Sequence, residues 1–234
     1  MQYIKIKESI VEQIEAGMLA AGQKLPSERK LAESFDTTRV TLREALSLLE
    51  AEGRLYREDR RGWFISPPPL KYNPLNAASF VDIAKQQGRT PSNQIVVAKS
   101  IIADKTAARL LQLPPFSDVY RIDSLHLLND RPVAYVTRYI RSDGLPNLLD
   151  QDLTSSFHTL YREQFGIELV KSQYRIATSS LLGDEASSLR ATLGTPSMVI
   201  ERVNKDKNGN IIDCEIMQWR HDAICIEAEV VISE

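Results

Sequence analysis

Three consecutive prolines, Pro67 to Pro69, sit in the run SPPPLKYNP at 66–74. Proline lacks the amide hydrogen that a helix interior or a central strand needs. Three in a row favour a stiff, extended spacer. The run therefore divides the chain. We expect a small N-terminal domain over 1–66, a proline-rich linker over 67–75 and a larger domain over 76–234. A total of 234 residues suits two domains, each with a core of its own.

The first part reads as three helices and a hairpin. A helix over about 4–16 carries Ile10, Val11 and Ile14 on one side and stops near Gly17. A second follows Pro26, with Ser27 as N-cap, Glu28 in the first turn, and Leu31, Ala32 and Phe35 inward. After the break DTT, a third helix over 38–52 places Leu42, Ala45, Leu46 and Leu49 at i, i+3, i+4, i+7. Leu55–Arg57 and Trp63–Ile65 then flank a tip carrying Arg60, Arg61 and Gly62. Two helices joined by a tight turn, with a hairpin after, make a winged helix-turn-helix. In that motif the second helix enters the major groove. Arg39 and Arg43 lie ~40° apart on the helical wheel, off the apolar stripe. Arginine grips guanine bidentately, and threonine meets phosphate or a thymine methyl.

Net charge is −2, which neither suggests nor excludes nucleic acid. Residues 1–70 hold 4 Lys and 7 Arg against 11 acids, but six of the seven arginines fall at 39, 43, 54, 57, 60 and 61. Folding would gather these on one face. Two cysteines, Cys214 and Cys225, argue for a reducing compartment rather than a disulfide framework. With no signal-peptide pattern and no apolar run of membrane length, we expect a cytoplasmic protein away from the membrane.

The second part alternates β-prone runs with helical stretches. IVVAKSII, VYRIDSLHLL, VAYVTRYI, an ATSSL run, MVIERV, IIDCEIMQW and ICIEAEVVI read as strands, and NDRP and DKNGN as turns between them. Helices are expected near 76–87, 104–112, 155–165 and 184–193. Adjacent strands joined by turns imply an α+β domain on an antiparallel sheet.

LPSERKLAESFDTTRVTLREALSLLEAEG closely resembles the signature of GntR-family bacterial transcription regulators, matched nearly throughout 22–65. The family's usual glycine is replaced by Asp36 in the turn. The resemblance implies a double-stranded operator as partner, contacted by Arg29, Arg39, Thr41, Arg43, Arg61 and Gly62, with Thr38 on a phosphate. Read alone, the same arginines would be ordinary solvated charges. NDRPVAYVTRYI, LTSSFHTLYREQFGI and IIDCEIMQWRHDAI resemble the HutC branch, whose UTRA effector domain resembles chorismate lyase in fold. Within the branch, the chain looks most like regulators of 2-aminoethylphosphonate use. This implies a homodimeric regulator, of repressor type, sensing a small anion.

Many relatives place two arginines on the strand before the NDRP-like turn, where Ser124 and His126 stand here. A protonated His126 would replace one of them. Ser156 is the family's hydroxyl donor, and the helix start at Ser79 offers free N–H groups to an oxyanion. Asp213 and Glu215 share a strand face with Trp219 and are expected to seat an ammonium. Lys171 and Arg175 are weaker candidates. His126 also reads as a plain core histidine, and the two carboxylates as an exposed polar face. Three scattered histidines offer no metal site, and we expect no cofactor and no catalytic residue. The rival readings are a sugar phosphate or carboxylate as effector, a DNA-binding dimer without effector, and, furthest off, a lyase-like enzyme.

Overall fold

The structure, a computed structural model, describes residues 1–76 and 78–230. Helices α1 (Gln2–Glu15), α2 (Glu28–Ser34) and α3 (Arg39–Ala51) precede the antiparallel pair β1 (Leu55–Glu58) and β2 (Gly62–Ile65). Ser27 caps α2, its hydroxyl accepting from Lys30 N at 3.4 Å. Thr38 caps α3, accepting from Thr41 N at 3.2 Å. The turn between the helices passes through Asp36 at φ 45°. That left-handed conformation is why glycine is the family's usual residue there. Leu42, Ala45, Leu46 and Leu49 are wholly buried against Ile6, Ile10, Leu31, Leu55 and Trp63. Burial of this stripe, rather than intrinsic propensity, holds the three helices together.

After the prolines come β3 (Leu70–Tyr72), α4 (Phe80–Gln86), β4 (Pro91–Ile102), α5 (Lys105–Leu111), β5 (Asp118–Leu128) and β6 (Arg131–Arg141). A 3-10 turn at Leu148–Asp150 leads to α6 (Phe157–Phe165), β7 (Leu169–Ser180), α7 (Gly183–Ser188), β8 (Pro196–Asp206), β9 (Ile211–Arg220) and β10 (Ile224–Ile226). Six strands form one sheet in the order β4-β5-β6-β9-β8-β7. The expected NDRP hairpin is present, with Asn129 and Asp130 both at positive φ as a tight two-residue turn requires. The fold is thus α+β, a winged helix-turn-helix followed by an antiparallel-sheet domain.

Three elements differ from expectation. The helix placed at 76–87 starts at Phe80, because Ser79 caps it. The helix placed at 184–193 ends at Ser188, and the chain turns at Arg190 with φ 54°. The strand read from ICIEAEVVI stops at Ile226, residues 227–230 lack regular structure, and 231–232 lie outside the described residues.

Compactness does not follow the linear division at the prolines. One unit comprises Met1–Tyr72, Ser180–Pro196 and the chain from Arg220 on, and the other Asn73–Ser179 and Ser197–Trp219. In the first unit, β10 pairs in parallel with β3. Arg220, 1% exposed, donates to the carbonyl oxygens of Leu189 and Arg57 at 3.1 Å each, its guanidinium 5.4 Å from the Tyr56 ring centre. The His221 ring nitrogens lie 2.6 Å and 3.0 Å from the carbonyl oxygens of Glu50 and Pro196. Ser66 Oγ donates to Asp222 at 3.3 Å. The wing and the end of α3 are therefore closed by residues from the far end of the sequence.

Candidate functional site

On α3 the buried stripe leaves the opposite side to solvent. Arg39, Val40 and Arg43 are exposed there, and Thr41 is half-buried. Thr38 Oγ1 lies 3.0 Å from Thr41 Oγ1, so the two hydroxyls stand together at the helix start. Val40, 77% exposed, was missed by sequence reasoning, because valine reads as core. In this position it offers an apolar contact of the kind a thymine methyl takes.

Arg43 is not loose. Its Nε donates to Glu28 Oε2 at 2.7 Å, while Glu28 Oε1 accepts from Trp63 Nε1 at 3.1 Å. Burial alone would raise the Glu28 pKa; the hydrogen bonds from Trp63 and Arg43 and the charges of Arg43 and Arg57 outweigh it and hold the group ionised. Glu28 thus ties helix α2, helix α3 and the wing strand β2 at one point. Arg29 pairs with Glu33 at 2.9 Å on the surface of α2. In the wing, Arg61 is ion-paired with the buried Glu58 and packs over Phe64, while Arg60 projects from the tip. Gly62 adopts φ 102°. An added Cβ would meet only Lys24 Cε at 3.6 Å. The glycine adopts this left-handed backbone conformation without steric cost.

The other candidates gather on one face of the six-stranded sheet. The register aligns His126, Ala134 and Trp219 across β5, β6 and β9, then Ser124, Val136 and Met217, then Ile122, Arg138 and Glu215. α4 and α6 cover this face. Phe80 stacks on His126 with ring centres 4.2 Å apart, and Arg138 lies 4.1 Å from the Phe157 ring centre.

Three expectations are corrected here. Asp213 and Glu215 are not an open seat for an ammonium. Asp213 is ion-paired with Arg138 and accepts from Tyr161 Oη at 2.8 Å and Asn204 Nδ2 at 2.5 Å. Glu215 is ion-paired with both Arg138 and Arg202. Second, His126 is not a cation. Burial first, then the charges of Arg138 and Arg202, push its pKa from 6.5 down to about 3, so the ring is neutral. Third, the Ser79 hydroxyl is engaged within its own helix, accepting from Asp82 N at 3.2 Å and donating to Asp82 Oδ2 at 2.7 Å.

Ser156 caps α6, accepting weakly from Thr159 N at 3.5 Å, and Ser124 is half-buried beside Val136. Lys171 is exposed, and Arg175 reaches Glu201 at 3.6 Å on the sheet edge, away from this face. Sequence reasoning missed Arg138 and Arg202, the guanidinium groups of this face, which Asp213 and Glu215 pair. The available signal was Arg138 itself, an arginine in phase with Ala134, Val136 and Ile140 in a buried strand. Among the described residues no group of His, Cys, Asp or Glu is arranged to hold a metal, and no helix is long and apolar enough to cross a membrane.

Comparison with known proteins agrees with both halves. Residues 2–65 match the family of bacterial regulatory proteins described as gntR, and residues 86–224 match the UTRA domain. The uncharacterized HTH-type transcriptional regulator YihL of Escherichia coli (strain K12) is 34% identical over 220 residues, covering 93% of both chains. The HTH-type transcriptional repressor NagR of Bacillus subtilis (strain 168) is 30% identical, covering 94% of this chain and 90% of its own. The crystal structure of PhnF from Mycobacterium smegmatis superposes with a TM-score of 0.68 at 23% identity, covering 97% and 100%, and so shares the fold. The chain belongs to the GntR family of bacterial transcription regulators, in the group that carries a UTRA domain, and is not an enzyme.

Proposed function

We propose that the protein is a homodimeric, operator-binding repressor whose DNA affinity is set by a small anionic metabolite held on the α4–α6 face of the sheet. The DNA half rests on α3, whose apolar side is wholly buried while Arg39, Val40 and Arg43 face solvent with Thr41 beside them. Arg39 and Arg43 read base edges, Thr38 and Arg29 meet phosphate, and the wing residues Arg61 and Gly62 follow the neighbouring groove or backbone. One such helix and wing reads too few base pairs alone, which calls for two copies on an inverted repeat. The repressor sense comes from NagR, named for that role. DNA binding places its work in the cytoplasm.

For the effector, the supporting observation is the polar and aromatic sheet face under α4 and α6, where Arg138 and Arg202 are paired with Asp213 and Glu215, so that an anion shares or displaces a carboxylate there. Ser156 at the start of the nine-residue helix α6 and Ser124 add neutral polar groups. His126 and Trp219 form the aromatic wall. The sequence resemblance puts 2-aminoethylphosphonate first among compounds to test. Because Asp213 and Glu215 are already matched, its ammonium finds no seat, and ethylphosphonate is expected to bind at least as well. Ligand binding acts on operator affinity through a change in the two DNA-binding heads carried by the 66–74 run, limited to the ligand's differential affinity for the two arrangements. The test is selection of DNA from a random pool by the full chain, with sedimentation of the complex. An inverted repeat carrying two chains is expected. Selection of a single half-site by a monomer sinks the dimer reading. Operator affinity unchanged across small phosphonates, sugar phosphates and carboxylates sinks the effector reading.

A further inference from the structure

We propose that Val40 is a base-reading residue, which selects a thymine in each half-site by packing on its C5 methyl group. This rests on α3 being the recognition helix, and it names a base that the helix reads without a hydrogen bond. Successive residues of a helix are turned by ~100°. The buried side chains of Leu42, Ala45, Leu46 and Leu49 centre on one direction, and Val40 lies ~170° away from it on the wheel. In the N-terminal half of α3 no other residue stands so directly opposite the stripe, and Val40 is 77% exposed.

A lone exposed apolar residue is ordinary on a protein surface. This one is set apart by its neighbours. Arg39 precedes it and Arg43 lies three residues on, both exposed, so the two groups suited to guanine flank it. Other apolar groups of the helix are less well placed. Thr41 is half-buried, its hydroxyl 3.0 Å from that of Thr38. Leu48, 39% exposed, lies more than two turns further along, beyond the N-terminal residues that meet base edges. Folding gives no reason for a valine at 40. The branched side chain is a poorer helix former than alanine, and the core cluster of the head, which holds the four stripe residues, leaves it out.

The side chain specifies the contact. Valine neither donates nor accepts a hydrogen bond, so the donor and acceptor pattern of the groove is invisible to it. Thymine is the base that presents a methyl group there. In a helix the branched side chain holds essentially one rotamer, so its methyls are in place before the DNA arrives and little freedom is lost on contact. The side chain is also short. Only a base directly beneath the helix can touch it, so the thymine is expected close beside a guanine read by Arg39 or Arg43.

Exchange of operator thymines for deoxyuridine, one position of the half-site at a time, tests this with the full-length protein on DNA it has selected from a random pool. The exchange removes the methyl and leaves base pairing unchanged. At one position it is expected to weaken binding roughly four-fold per half-site, about what burial of one methyl group contributes. In Val40→Ala the same exchange is expected to leave affinity nearly unchanged. Alanine is the better helix former, so an undiminished thermal midpoint in Val40→Ala separates a lost contact from a weakened helix. The proposal is overturned if no thymine responds to loss of its methyl, or if Val40→Ala keeps the full penalty. A penalty that survives Val40→Ala and vanishes in Thr41→Ser belongs to Thr41. In each of these cases weaker binding by Arg39→Ala and Arg43→Ala leaves the recognition-helix assignment standing. If those two variants bind as the parent does, or if the full chain selects no DNA, both readings fall.

Discussion

Arg43 is tied to Glu28 within the fold and is also one of the residues proposed to read the operator. Arg39→Ala and Arg43→Ala are each expected to weaken operator binding by ~1–3 kcal/mol and to relax base preference at one position per half-site. Titration of variant proteins against single-base operator variants checks this, and parental affinity in both would overturn the α3 assignment. His126 gives a pH prediction. Its folded pKa of about 3 lies below the unfolded value of 6.5, so between those values the unfolded chain takes up a proton that the folded chain refuses. Stability is therefore full above pH 6.5 and falls on acidification, by about 2 kcal/mol from pH 7 to pH 5. His126→Phe is expected to remove that part of the slope in denaturant titrations at the two pH values. A slope as steep as the parent's would show that the ring already titrates in the folded state. Asp213→Asn leaves the guanidinium of Arg138 short of a charge partner at a buried position, and should cost on the order of 3 kcal/mol. A thermal midpoint equal to the parent's would mean the ion-pair group is not what holds the face together. The face shared by Asp213, Glu215 and Trp219 was legible from strand alternation. Their partners were not, because Arg138 comes from 75 residues away and strand register decides which residue meets which.

Helices and strands were legible wherever a periodic apolar pattern met a cap or a turn. α3 shows this best. Thr38, the stripe at 42, 45, 46 and 49, and Gly53 define it within a residue or so of the observed Arg39–Ala51. Where the signals were weaker, ends moved. At the helix near 184 a glycine does follow the expected end, at Gly194, but the helix stops at Ser188, and the break at Arg190 depends on a left-handed conformation that no local pattern announces. The wing offers a test at this scale. Gly62→Ala forces an L side chain into φ 102° with only an ordinary contact to Lys24 Cε at 3.6 Å, so the cost is backbone strain rather than a clash. It is expected to destabilise the protein by ~1 kcal/mol and to reduce operator affinity by displacing Arg61. Unchanged chemical denaturation would mean that the wing tip relaxes freely.

At the scale of the whole molecule, the acidic balance of −2 hides a head with its arginines concentrated on α3 and the wing. Operator affinity should therefore fall steeply with salt, as counterions released from phosphates demand, despite the chain's negative charge. A flat salt dependence would remove the phosphate contacts. The prolines marked a change of architecture, yet the head is completed by residues 180–196 and those from 220 on, which no linear reading assigns to it. A fragment ending at Ser66 keeps the helical core but lacks Arg190, whose carbonyl accepts the Asp59 amide at 2.9 Å in the full chain. That amide should exchange with solvent much faster in the fragment, and equal protection would show that the closure is dispensable. The bond from Arg220 to the Arg57 carbonyl spans 163 residues. At a synthesis rate of ~5–20 residues per second, the wing of a nascent chain waits roughly ten to thirty seconds for its closing arginine. The helix-turn-helix can fold as it emerges, but its wing and the end of α3 are finished only after Arg220 and His221 have been made. A chain terminated before Arg220 would thus carry α3 without the structure that braces it.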